Sequence, residues 1–177
     1  MTWQILSGWI ARRRRSLERR WMRRRIAQSG LFDPDWYIAT YADAAHSGRD
    51  PLRHYVDQGW RRGHSPNPLF DPAWYAARAM GTTQPERCPL LHFIIEGKRI
   101  DAWPNPYFDP VHYRTQAGLS PHSRENPLAH YIRTGESAGM TPCSEFAPDA
   151  YLTRHRHEMA GITSPLAYFL HIGRLLG

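Results

Sequence analysis

Only two cysteines, Cys88 and Cys143, occur in the 177 residues, too few for a disulfide framework. The simplest setting for the chain is therefore a reducing compartment. Long apolar runs are also missing. The apolar stretch at 3–11 is interrupted by Gln4, Ser7 and Gly8, and it falls well short of the roughly 20 residues that a spanning helix needs. It precedes the positive charge and is followed by no small-residue cleavage site, the reverse of a secretory signal. Motifs that carry chemistry are scarce as well. There is no phosphate-cradling glycine loop and no Gly-x-Ser-x-Gly elbow. The recurring acids Asp33, Asp71 and Asp109 are accounted for as helix caps. No catalytic residue, cofactor or metal centre is expected, and the chain reads as a non-enzyme.

What is present is unevenly placed. The formal charge of +7 is concentrated in residues 1–28, which hold nine arginines against the single acid Glu18. That segment carries about +8 and the remainder is close to neutral, so an electrostatic partner would be met by this arm. Trp3, Leu6, Ile10, Leu17 and Trp21 follow helical spacings of three and four, with Ile5, Trp9, Met22 and Ile26 widening the apolar face. Arg12, Arg13, Arg14, Arg15, Arg19, Arg20, Arg23, Arg24 and Arg25 supply a dense basic face. Tryptophans beside arginines on an amphipathic helix point to an anionic membrane surface. Docking on a protein partner is the next reading. Nucleic acid ranks third, since binding phosphate calls for charge but not for this much apolar surface.

Beyond the arm the chain repeats itself. Phe32, Phe70, Phe108 and Phe146 are each 38 residues apart, as are Tyr37, Tyr75, Tyr113, Tyr151 and Gly59, Gly97, Gly135, Gly173. Thirteen of the fifteen prolines fall on the same register, so their abundance reflects a structural repeat and not a disordered linker. The expected fold is all-α: four tandem repeats of two short helices, at 29–66, 67–104, 105–142 and 143–177, behind a basic amphipathic helix at 1–28. In Phe32-Asp33-Pro34-Asp35-Trp36-Tyr37 the Asp caps a helix, Pro34 takes its first position, and Phe32 and Tyr37 form the staple. Asp50-Pro51 opens the second helix, and Gly59 is expected to end it in the left-handed conformation. The last copy is degraded, with Ala147 in place of the capping Asp, as suits a terminal unit.

His54, His92 and His130 share one repeat position. Equivalent positions of stacked units lie on the order of 10 Å apart, too far to share a metal with bonds of about 2 Å, so these histidines read as structural. His155, His157 and His171 form a looser group with no Cys or paired acid at ligand spacing. The recurring phenylalanines and tyrosines read as core. Trp36 and Trp74 share a repeat position that the later copies fill with His112 and Ala150, Trp60 and Trp103 are unrepeated, and these four are the candidates for a sugar or partner contact.

The stretches Phe32–Tyr37, Pro51–Gly59 and Gly63–Asp71 resemble a bacterial repeat that accompanies cell-surface polysaccharide glycosyltransferases, among them rhamnan-synthesis-type proteins. The resemblance covers 29–177. Similar proteins usually continue into a glycosyltransferase domain with nucleotide-sugar and metal-binding residues, for which this chain has no room, so no catalytic residue carries over. The resemblance implies an accessory role in envelope polysaccharide assembly. Together with the arm it suggests a cytoplasmic scaffold or adaptor, peripheral on the inner membrane, that engages a polysaccharide-assembly protein such as a glycosyltransferase. The alternatives are a carbohydrate-binding module using the unrepeated tryptophans and a nucleic-acid binder using the arm. Neither the partner, the polysaccharide nor the oligomeric state follows from the sequence.

Overall fold

The computed structural model describes residues 2–176 except 121, 122, 124 and 160–163, with backbone alone for 2–12 and 173–176. Among the described residues the chain is all-α and forms no β-strand. Helix α1 spans Thr2–Ser29. It is followed by α2 (Pro34–Thr40), α3 (Ala42–Ala45), α4 (Pro51–Asp57), α5 (Pro72–Ala79), α6 (Pro89–His92), α7 (Pro110–Gln116), α8 (Pro127–His130), α9 (Pro148–His155) and α10 (Pro165–Leu176). Apart from α1, most are only one or two turns long, too short to persist alone in water.

The caps place these helices. Asp33 accepts from the Trp36 amide, Asp71 from Ala73 and Trp74, and Asp109 from Val111 and His112. Asp50, Asn126 and Ser164 do the same for the second helices. Ala147 and Cys88 supply no side-chain cap, and there the following proline alone sets the first turn.

Packing repeats at the sequence interval. Each Phe–Tyr staple closes at 5.2–5.4 Å between ring centroids, from Phe32–Tyr37 to Phe146–Tyr151. Each Phe also meets a ring of the second helix at 5.2–5.5 Å, namely Tyr55, Phe93, Tyr131 and Phe169. Backbone bonds from Asp33, Asp71 and Asp109 to the carbonyls of Pro66, Pro104 and Pro142 tie each helix start to the loop after its partner. Neighbouring segments are joined by buried amides: Asn67 Nδ2 donates to Leu31 O and Asn105 Nδ2 to Leu69 O, both at 2.7 Å. Between the last two, half-buried Glu136 accepts from Ser164 Oγ at 2.7 Å and from the Tyr131 hydroxyl at 3.2 Å. Burial raises the Glu136 carboxyl above its ordinary pKa, partly offset by these donors.

The expectation for Gly59 needs correction. Positive φ falls instead four residues later, at Gly63 (78°), Asp101 (48°) and Gly139 (70°). There the chain closes with six-to-one bonds: His64 N–H to Gly59 O, Ala102 N–H to Gly97 O and Met140 N–H to Gly135 O, the pattern of a Schellman terminus. Asp is one of the few side chains that tolerate that conformation. Glycine is required at 59 and 135 for space. A Cβ there would overlap the hydroxyl of Tyr37 or Tyr113, and at Gly97 it would strike the Phe93 ring.

Candidate functional site

Helix α1 is docked over its C-terminal half. It packs on α4 and α6, burying Ile26 completely and Met22 in part. Arg19 pairs with Asp57 at 3.2 Å, and Arg15, Arg19 and Arg23 line a cleft with Arg53 and Asp57. At about 100° per residue, Arg15, Arg19, Met22, Arg23 and Ile26 share one side. The sequence reading of one broad apolar face is thereby corrected. Met22 and Ile26 belong to the buried side, while Leu17 and Trp21 stand on the opposite side, 59% and 50% exposed.

Leu17 and Trp21 are flanked by exposed Arg14, Arg20, Arg24 and Arg25, with Arg13 also exposed. This outer face is therefore an apolar ridge between arginines, with Leu17 and Trp21 at least half exposed among the described residues. The side chains of Trp3, Leu6, Trp9, Ile10 and Arg12 lie outside the described residues. No helix among the described residues is long and apolar enough to cross a membrane.

The four candidate tryptophans do not meet at one site. Trp60 is buried to 5% exposure, donates its indole N–H to Val56 O at 3.2 Å, and is capped by the Arg61 guanidinium 4.3 Å above its ring. It belongs to the core and offers no contact face. Trp74 and Trp103 line a common cleft of about 530 Å³ with Arg78 and Ile100. Trp36 lines a separate groove of about 690 Å³ with Glu136, Tyr168 and His171, between the first and the last segments.

The histidines at the shared position are held locally. Tyr37, Tyr75 and Tyr113 hydroxyls bond His54, His92 and His130 Nδ1 at 3.0, 2.8 and 2.6 Å. Burial pushes the Tyr113 phenol up to about 12 and raises those of Tyr37 and Tyr75 as well, so each remains protonated. Around His54 the structure adds two residues that the sequence reading passed over, Asp43 and His64. Their signal was available: neither recurs, the corresponding positions being Gly81 and Leu119 for Asp43, and Ala102 and Met140 for His64. No family model, curated protein or solved structure matches this chain.

Proposed function

We propose that this chain is a non-catalytic scaffold that lies on an anionic membrane surface through the outer face of α1. The observation that carries the reading is the exposed Leu17–Trp21 ridge among arginines, on the side of the helix facing away from the body. A helix of this kind buries its apolar side at the headgroup boundary while its arginines meet lipid phosphate. Docking of the other side on α4 and α6 would hold the body at a fixed distance from the lipid.

The body reads as four tandem copies of one two-helix unit, which supports presentation of an extended surface to a partner. The resemblance of Phe32–Tyr37, Pro51–Gly59 and Gly63–Asp71 to the polysaccharide-associated repeat makes that partner an envelope polysaccharide-assembly protein such as a glycosyltransferase. The corresponding location is cytoplasmic and peripheral on the inner membrane. The cleft of Trp74 and Trp103 is the place for the carbohydrate-binding alternative.

Removing residues 1–28 is a poor test, because it strips buried Ile26 from the core. Leu17→Glu and Trp21→Glu are cleaner, since both positions are exposed. In co-sedimentation with phosphatidylglycerol vesicles each should sharply reduce pelleting, while Trp103→Ala pellets like the parent. Equal pelleting of parent, L17E and W21E would sink the membrane reading.

A further inference from the structure

Three residues of the first segment meet in a way that its own packing does not require. His54 Nε2 lies 3.6 Å and His64 Nε2 3.8 Å from Asp43 Oδ2, and a donor atom from each of the three residues lies within 4.8 Å of the other two. Donor atoms around a tetrahedral ion with bonds of 2.0–2.1 Å stand about 3.3 Å apart, so a small inward movement closes the set. His54 is fully buried, yet its Nε2 has no hydrogen-bond partner. A buried nitrogen without a partner is costly, and here it is aimed at the other two donors.

The rings are already oriented. Both Nδ1 atoms face one atom, the Tyr37 hydroxyl oxygen, at 3.0 and 2.9 Å, so both Nε2 atoms are turned to the same side. His64 is further clamped by stacking on Tyr41, 3.9 Å between centroids and 1° from parallel. Histidine ligands commonly direct the second ring N–H to an oxygen that fixes the tautomer, and Tyr37 supplies that oxygen for both.

The neighbouring segments provide the internal control. Tyr75–His92 and Tyr113–His130 make the same hydrogen bond with Ala102 or Met140 where His64 stands, and Gly81 or Leu119 where Asp43 stands. The packing unit therefore forms without the other two ligands. We propose that Asp43, His54 and His64 form a binding site for a divalent transition-metal ion of the zinc class, with solvent in the fourth position. Two imidazoles and a carboxylate suit Zn²⁺ over Mg²⁺ or Ca²⁺, which favour all-oxygen shells. Binding selects the tautomers in which both Nδ1–H groups donate to the Tyr37 oxygen. Arg62, which pairs with the same Asp43 oxygen and is half-exposed, swings aside when the ion arrives.

The test is calorimetric titration of Zn²⁺ alone into chelator-treated, tag-free full-length protein, alongside thermal melts. One ion per chain and a rise in Tm are expected. Asp43→Ala and His64→Met should abolish both effects. His64→Met installs the residue found at position 140, and its circular dichroism melt without metal checks that the variant folds. His155→Ala should bind as the parent does, and Arg62→Ala should bind more tightly. The proposal is overturned if the parent shows neither heat nor a Tm shift, or if D43A and H64M, both folded, retain the parent's affinity.

Discussion

Gly135→Ala is expected to destabilise the body by about 3 kcal/mol or more, combining overpacking with the loss of a buried hydrogen bond. The added Cβ would overlap the Tyr113 hydroxyl and come within 2.9 Å of its Cζ. That ring cannot retreat cheaply, because it is fully buried, bonded to His130 at 2.6 Å and packed on Tyr131 at 5.4 Å. Gly59→Ala meets Tyr37 in the same way. The control is Gly30→Ala, where φ is +68° but nothing lies within 4 Å. That change incurs only the backbone penalty, on the order of 1 kcal/mol. Urea unfolding separates the cases. Adding Tyr113→Phe to Gly135→Ala should recover part of the loss by removing the overlapped oxygen. Equal cost at 30 and 135 would refute the steric account of this glycine position.

Replacing Arg14, Arg20, Arg24 and Arg25 together with Gln should weaken binding to anionic vesicles roughly a thousandfold, at about 1 kcal/mol per arginine near the surface. All four side chains are exposed on α1, so the thermal melt should stay close to that of the parent. Added salt should erode the parent's binding through screening, but the quadruple variant's much less. A reduction below tenfold in vesicle partitioning would mean that these arginines do not face lipid. Retention of mixed oligonucleotides by the parent, lost in the same variant, would instead favour the nucleic-acid alternative.

What could be read from the sequence follows the range of the interactions. The caps at Asp33, Asp71 and Asp109 act over two or three residues, so composition and spacing alone located them. The Phe–Tyr staples are equally local. Gly59 was legible as a special position but not for its reason, since the Tyr37 hydroxyl comes from another helix. Helical spacing in α1 showed apolar residues without showing which the body covers. Met22 and Ile26 face α4 and α6, whereas Leu17 and Trp21 face away. Trp60 looked available because it does not recur, yet it is packed under Arg61. The 38-residue spacing relates His54 to His92 and His130, whereas its neighbours His64 and Asp43 lie at positions that do not recur, so periodicity does not reveal their pairing.

The most direct measurement places nitroxide labels on either side of the docked helix. Cys88→Ser and Cys143→Asn would clear the background, borrowing the residues found at 164 and at 67 and 105. Leu17→Cys, Trp21→Cys and Arg53→Cys then carry the label in separate proteins. On phosphatidylglycerol vesicles, power-saturation electron paramagnetic resonance should find labels 17 and 21 accessible to oxygen and shielded from an aqueous nickel complex. Label 53, on the body, should remain exposed to the nickel complex. Vesicle-bound protein in which labels 17 and 21 stay as exposed to nickel as label 53 would contradict the placement of this face against lipid.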